Sequence, residues 1–179
     1  MIPGAFNLQQ WIEAHRDILK PPVGNSEIYA GQAEDFIVMI SGGPNARNDF
    51  HYNESEELFY QLEGDIVVKV YEDGQIRDIP IHQGEMFLLP PKMPHSPQRP
   101  AHSVGLVLEK KRAENDTDGF MWFCDHCGHK LYEEYFQLTD IVKQLPPLLN
   151  RFNGSEELRT CSHCGTVKEV PQQPAASAS

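Results

Sequence analysis

Between residues 28 and 110 the chain breaks into short runs rich in β-branched and aromatic residues: FIVMI (36–40), ELFYQL (57–62), DIVVKVY (65–71), IRDIPI (76–81), MFLLP (86–90) and VGLVLE (104–109). Turn signals separate them at Gly42-Gly43-Pro44-Asn45, Glu63-Gly64-Asp65, Glu72-Asp73-Gly74 and Gln83-Gly84. Many short strands punctuated in this way indicate an antiparallel sandwich or small barrel. The run DIVVKVY alternates Ile66, Val68 and Val70 with Val67, Lys69 and Tyr71, as a strand with one core-facing side should. The expected fold is therefore mainly β.

Other segments flank this β region. Residues 8–20 place Leu8, Trp11, Ile12, Ile18 and Leu19 near one helical face, with Asn7 as the cap and Pro21-Pro22 as the stop. Residues 1–110 then form the barrel domain with its N-terminal helix, and the polar run KRAENDTDG (111–119) reads as a linker. A small unit over 120–168 is bracketed by two cysteine pairs. Within it Thr139-Asp140 is expected to start a short helix, IVKQL, that Pro146-Pro147 stops. The Pro/Ala/Ser-rich tail, 169–179, is expected to be disordered.

Charge narrows the function classes. With 15 Lys+Arg against 26 Asp+Glu, the formal net charge is −11. Such a surface repels phosphate backbones and anionic membranes, which argues against nucleic-acid and membrane partners. An anionic substrate must instead meet a local cluster of arginines. No apolar run approaches the ~20 residues that span a bilayer, and no signal-peptide pattern opens the chain, so the expected location is cytoplasmic.

Two groups of residues carry metal-binding chemistry. The first is His51, Glu57 and His95. Singly each is unremarkable: a histidine in a polar loop, a glutamate in an acidic run beside Glu54 and Glu56, a histidine near a loop carbonyl. Their joint spacing changes the weighting. Glu57 opens a strand, His51 lies on the preceding strand or loop, and His95 follows a strand stiffened by Pro90, Pro91 and Pro94. Two imidazoles and one carboxylate suit Fe(II) and leave up to three positions open for O2 and a chelating substrate. The second group is Cys124-x-x-Cys127 and Cys161-x-x-Cys164, each pair followed by a glycine, Gly128 or Gly165. Four thiolates in two knuckles complete a tetrahedron around zinc or iron. All four positions come from protein, so this site is expected to be structural or dimer-supporting.

The spacing His51-x5-Glu57-x6-Gly64, then Gly84-x5-Pro90 and His95, closely resembles the two motifs of the cupin superfamily, which implies a jelly-roll barrel. In the general pattern a second histidine stands where this chain has Asn53, so a three-ligand site is implied. Lys92 and Arg99 occupy two further positions where the general pattern has Gly and Asn. These departures, with KPPVGN (20–25), GGPNARNDFH (42–51), EELFYQLEGD (56–65), GEMFLLPPKMPHSPQRP (84–100) and VLE (107–109), resemble the 3-hydroxyanthranilate 3,4-dioxygenases over roughly residues 5 to 168.

The resemblance implies that the hydroxyl and amine of 3-hydroxyanthranilate chelate Fe(II) at His51, Glu57 and His95. Arg99 would clamp the substrate carboxylate, Arg47 would stabilise charge developing on O2, and Glu109 would hydrogen-bond the substrate and help remove its phenolic proton. The implied product is 2-amino-3-carboxymuconate semialdehyde, which closes to quinolinate, a precursor of NAD. The resemblance also implies a rubredoxin-like iron at the four cysteines, with zinc as the substitute, and a homodimer. On the residues alone, another cupin dioxygenase acting on a related aromatic or a thiol, and a metal-dependent sensor, stay open. His82 and His102 fit no ligand position and read as surface residues.

Overall fold

The computed structural model describes residues 2, 4–21, 24–139 and 141–172. Pro22, Asp140 and residues 173–179 of the expected disordered tail lie outside that set. Helix α1 (Leu8–Ala14) is followed by the strands β1 (Asn25–Ile28), β2 (Phe36–Gly42), β3 (Phe50–Tyr52), β4 (Glu57–Glu63), β5 (Ile66–Glu72) and β6 (Gln75–Ile81). Then come β7 (Met86–Leu89), β8 (His95–Gln98), β9 (Val104–Lys110), β10 (Asp118–Phe123) and β11 (Lys130–Phe136), and finally α2 (Ile141–Gly154) and α3 (Glu156–Arg159).

The strands form two antiparallel sheets, one ordered β1-β2-β9-β4-β7 and the other β11-β10-β3-β8-β5-β6. This is the mainly β, two-sheet arrangement expected from the strand pattern, in keeping with the cupin-like fold that the motif resemblance implies. The alternation read in DIVVKVY holds: Ile66, Val68 and Val70 are buried and pack with Phe59, Ile81, Leu89 and Val107 in the main core. The second sheet contains more strands than the sequence pattern suggests. β10 pairs with β3 in the register Phe120↔His51, and with β11 in a hairpin. Asp118 and Gly119, inside the run read as a linker, are thus strand residues of that sheet.

Two helix expectations need correction. The first helix ends at Ala14 and does not run on to the prolines. His15 caps it, with its backbone N–H donating to Ile12 O, its Nδ1 2.7 Å from Trp11 O and its ring stacked on Trp11 at 4.3 Å. Asn7 is the N-cap as expected, accepting from Gln10 N at 2.9 Å. Of the expected apolar face, Leu8, Trp11, Ile12 and Leu19 pack with Ile28, Ile40 and Val104, while Ile18 is exposed.

The second correction concerns α2, which passes straight through Pro146 and Pro147. A proline inside a helix removes one intrahelical donor and costs about 3 kcal/mol. Burial of Leu148 and Phe152 against Phe120 and Trp122 offsets that cost, since each fully buried side chain contributes ~1.5–3 kcal/mol.

Candidate metal centres

The sheet registers assemble the first centre. His51 on β3 is the direct cross-strand partner of His95 on β8. Glu57 on β4 is the partner of Glu109 on β9. One ligand atom from each of His51, Glu57 and His95 falls within 4.8 Å of the others. Glu57 Oε1 lies 3.7 Å from His51 Nδ1 and 3.3 Å from His95 Nε2. The aromatic wall is tight: His51 stacks on Phe120 at 5.0 Å, and His95 meets Phe59 edge-on.

Hydrogen bonds decide which nitrogen each histidine offers. His95 Nδ1 is 3.0 Å from Met93 O, and a carbonyl only accepts, so Nδ1 carries the proton and Nε2 presents its lone pair. His51 Nε2 is 2.6 Å from Asp118 Oδ2, so here Nε2 carries the proton and Nδ1 is the free ligand atom. A carboxylate behind a ligating imidazole fixes its tautomer and orientation and raises its basicity. Asp118 is fully buried and is itself held by Arg112, through Nε at 3.0 Å and Nη2 at 2.7 Å. Arg112 Nη1 reaches on to Glu109 Oε2 at 2.5 Å. A continuous polar chain therefore runs His51–Asp118–Arg112–Glu109.

The electrostatics follow from this packing. Burial alone would raise Glu57, but the His95 and His51 imidazoles and Arg112 hold it at about 2, ionised and ready to ligate. Burial depresses His51 below the usual histidine value despite Asp118. Burial also opposes charge on His95, yet Glu57 keeps it above the usual value. Glu109 is pushed up to about 7 by burial and by the Glu57 charge, with Arg112 pulling the other way.

Of the other expected residues, Glu109 pairs with Glu57 across the sheet, and Arg47 and Arg99 lie within electrostatic reach of Glu57. Arg99 is 6% exposed, and its Nη1 has no hydrogen-bond partner. Burial and the nearby Arg47 charge lower it to about 10, which still leaves it cationic at neutral pH. Gly105 makes room for this guanidinium, because a Cβ there would sit 3.0 Å from Arg99 Nη1 and 2.7 Å from Gln61 Oε1. Arg47 is engaged by the buried Asp49 through Nη2 at 2.5 Å and Nε at 3.2 Å. Asn53, in the position of the usual second histidine, donates Nδ2 to Glu57 Oε1 at 2.7 Å. It steadies a ligand and is not one of the three clustered ligand groups.

Sequence reasoning passed over Asp49, Asp118 and Arg112. Asp118 and Arg112 lay in a charged run that reads as exposed, and only the pairing of β10 with β3 carries that run to His51. His82 is exposed, as expected, and pairs with Asp65 at 2.9 Å.

The second centre brings the four cysteines together. Cys124–Cys164 and Cys127–Cys161 have sulfur–sulfur distances of 3.6 Å, and all four sulfurs lie within 4.8 Å of one another. That is far beyond a disulfide bond of ~2.05 Å. It is close to the ~3.8 Å edge of a tetrahedron with metal–sulfur bonds of ~2.3 Å. The two knuckles share one backbone pattern. Gly128 N donates to Cys124 O and Gly165 N to Cys161 O, at 2.9 and 2.8 Å, with φ of 71° and 75° at the glycines. Only glycine adopts that conformation without strain.

A profile of the family described as "3-hydroxyanthranilic acid dioxygenase" matches residues 1–153. A 3-hydroxyanthranilate 3,4-dioxygenase of Xanthomonas euvesicatoria is 54% identical over 97% of both chains, and that of a Jannaschia species is 51% identical over 94% of both. Among solved structures, a protein from Neisseria meningitidis is 18% identical, with a TM-score of 0.49, over 60% of this chain and 100% of that one.

Proposed function

The chain belongs to the 3-hydroxyanthranilate 3,4-dioxygenase family, and on that footing we propose that it opens the ring of 3-hydroxyanthranilate with O2 to give 2-amino-3-carboxymuconate semialdehyde. The observation that carries this reading is Arg99, a buried guanidinium whose Nη1 has no acceptor, in the field of the His51/Glu57/His95 group. An unpaired buried donor costs ~1–3 kcal/mol, and the carboxylate of an aromatic substrate supplies the missing acceptor.

Two neutral imidazoles and a carboxylate favour Fe(II). When bound there, Fe(II) supplies a chelation point for the ring hydroxyl and amine and a spin-allowed path for O2. The chain's own residues do the rest. Arg99 clamps the carboxylate and fixes the ring's orientation. Glu109, cross-strand from Glu57, accepts the phenolic proton and becomes neutral, and Arg112 beside it favours the ionised form that the transfer needs. Arg47, already aligned by Asp49, offsets negative charge as O2 accepts electrons. Asn53 and Asp118 keep Glu57 and His51 oriented. Orientation within a closed site contributes a large part of such rate gains.

The four-cysteine centre takes iron or zinc in a closed tetrahedral site and supports the fold. Paired thiols used as metal ligands fit a reducing, cytoplasmic setting. Met86, Leu88 and Tyr60 stand exposed on β7 and its neighbour β4. With β7 an edge strand, they favour a homodimer.

The test is direct. Protein loaded anaerobically with Fe(II) is mixed with 3-hydroxyanthranilate and O2, and O2 uptake is followed beside the semialdehyde absorbance. Stoichiometric uptake is expected, and iron-loaded protein that consumes no O2 would overturn the proposal.

A further inference from the structure

The loop between β2 and β3 carries Arg47, and its two halves are fastened to different parts of the molecule. The first half is tied to the Arg99 segment: Asn45 N donates to Arg99 O at 3.0 Å, Asn45 Oδ1 accepts from Arg99 N at 2.8 Å, and Asn45 Nδ2 donates to Pro97 O at 2.8 Å. Among the described residues, the side-chain hydrogen bonds of the second half, 46–49, are the internal Arg47–Asp49 pair and those of Asn48. Among the described residues, every side-chain hydrogen bond from 46–49 to another part of the chain runs through Asn48. Its Oδ1 accepts from Trp122 Nε1 at 3.0 Å, and its Nδ2 donates to Asn153 Oδ1 at 3.3 Å and to Glu169 O at 3.2 Å.

All three partners belong to the cysteine-bearing region. Trp122 lies just before Cys124 at the end of β10. Asn153 lies on α2, beside Phe152, whose ring stacks on Trp122 at 4.4 Å. Glu169 follows the second knuckle, and its position depends on how the two knuckles are held together. Lys168 Nζ reaches Asp125 in the first knuckle at 2.5 Å, while Lys168 N and O bond to Arg159 at 2.9 and 2.7 Å. An ion shared by the four thiolates is the strongest link between the knuckles, because without it four sulfurs would be crowded together with no bond between them.

We propose that Asn48 is a positioning residue: it fastens the Arg47 segment to the cysteine-bearing region, so that the setting of Arg47 depends on the metal held by the four thiolates. Asn48 touches neither the clustered ligands nor Arg99 through any hydrogen bond of its side chain. Its effect passes through the backbone to Arg47 and Asp49, its two neighbours. The functional arm of this inference rests on the role given above to Arg47; the structural arm does not.

Both arms are tested on the full chain. Normalised to iron bound, Asn48→Ala lowers kcat by about tenfold, the scale of a catalytic group misplaced by a fraction of an ångström, while KM for 3-hydroxyanthranilate stays within about twofold because Arg99 sets it. Introduced into Arg47→Ala, the same substitution causes no further loss. An equal fractional loss in both backgrounds, or an unchanged kcat in the single variant, overturns the positioning role. Independently of turnover, backbone hydrogen exchange across residues 43–50 is faster in Asn48→Ala and also in Cys164→Ser, whose substitution leaves the donors His51, Glu57 and His95 in place. Unchanged exchange in Cys164→Ser overturns the dependence on the cysteine metal. If the wild-type protein fails to turn over the substrate, the assigned activity falls, and the exchange measurement still judges the clamp.

Discussion

Replacing Asp118 should weaken iron binding although Asp118 is not one of the three clustered ligand groups. Its carboxylate is fully buried, 2.6 Å from His51 Nε2, and is pinned by two bonds from Arg112. In Asp118→Ala the imidazole of His51 loses the acceptor that sets its tautomer, and Nδ1 no longer holds the free lone pair by default. Loss of such a partner behind a ligating histidine costs about 10–100-fold in metal affinity, or roughly 1.4–2.7 kcal/mol. Asp118→Asn should cost less, because its amide oxygen still accepts from His51 while the amide nitrogen cannot accept from Arg112. Fold stability also falls, since breaking a buried ion pair costs about 3–5 kcal/mol; the lower end is expected because Arg112 keeps Glu109. The assay is anaerobic competition for Fe(II) against a chromogenic chelator, run below the unfolding temperature of each variant. Affinity within threefold of wild type in a folded Asp118→Ala protein would refute the argument that this carboxylate sets the ligand.

Gly105→Ala places a methyl group 3.0 Å from Arg99 Nη1; displacing the clamp should raise KM for 3-hydroxyanthranilate by about tenfold, and steady-state kinetics read it. Phe152→Ala removes a fully buried ring stacked on Trp122 and should cost ~3–5 kcal/mol of stability, measured by denaturant titration with Trp fluorescence. Glu63 is held below its usual pKa by Arg16 and Gln9, with burial opposing. Its stabilising contribution is complete above the unfolded value of about 4.3 and is lost as pH falls through the depressed folded value. Glu63→Gln should therefore cost ~0.2–1 kcal/mol at pH 7 and show a smaller loss of stability between pH 5 and 3, roughly the window of that titration.

The parts of the fold legible in the sequence are those with one wet face. β4, β5 and β9 alternate because each turns one side to the core, and their runs stand out between turn residues. β10 shows no alternation, since all six of its residues are buried. Phe120 and Trp122 pack with Leu148 and Phe152, while Met121 and Phe123 pack with Phe50. A strand covered on both faces has no period-2 signal, so Asp118-Gly119 passed as the end of a linker and FMWF as the start of a cysteine unit. The clustered groups His51, Glu57 and His95 were legible from their joint spacing together with its resemblance to the cupin motifs. Asp118 and Arg112 were not, because charge in a sequence predicts exposure and only a cross-strand pairing overrides it. α2 was misread for a related reason: local proline chemistry argued for a stop, and tertiary burial of Leu148 and Phe152 outweighed it.

The position of β10 bears on how the protein is made. In the second sheet it lies between β11 and β3, the three-residue strand that bears His51. During synthesis His51, Glu57 and His95 all leave the ribosome before Asp118 does. Until β10 emerges, β3 is an open edge with unpaired backbone groups and a histidine of unset tautomer. A nascent barrel in that state offers its ligand-bearing strand to any other extended chain nearby. Metal loading is therefore expected to follow the emergence of β10, and a truncated chain ending near residue 111 should accumulate as aggregate even though it contains His51, Glu57 and His95.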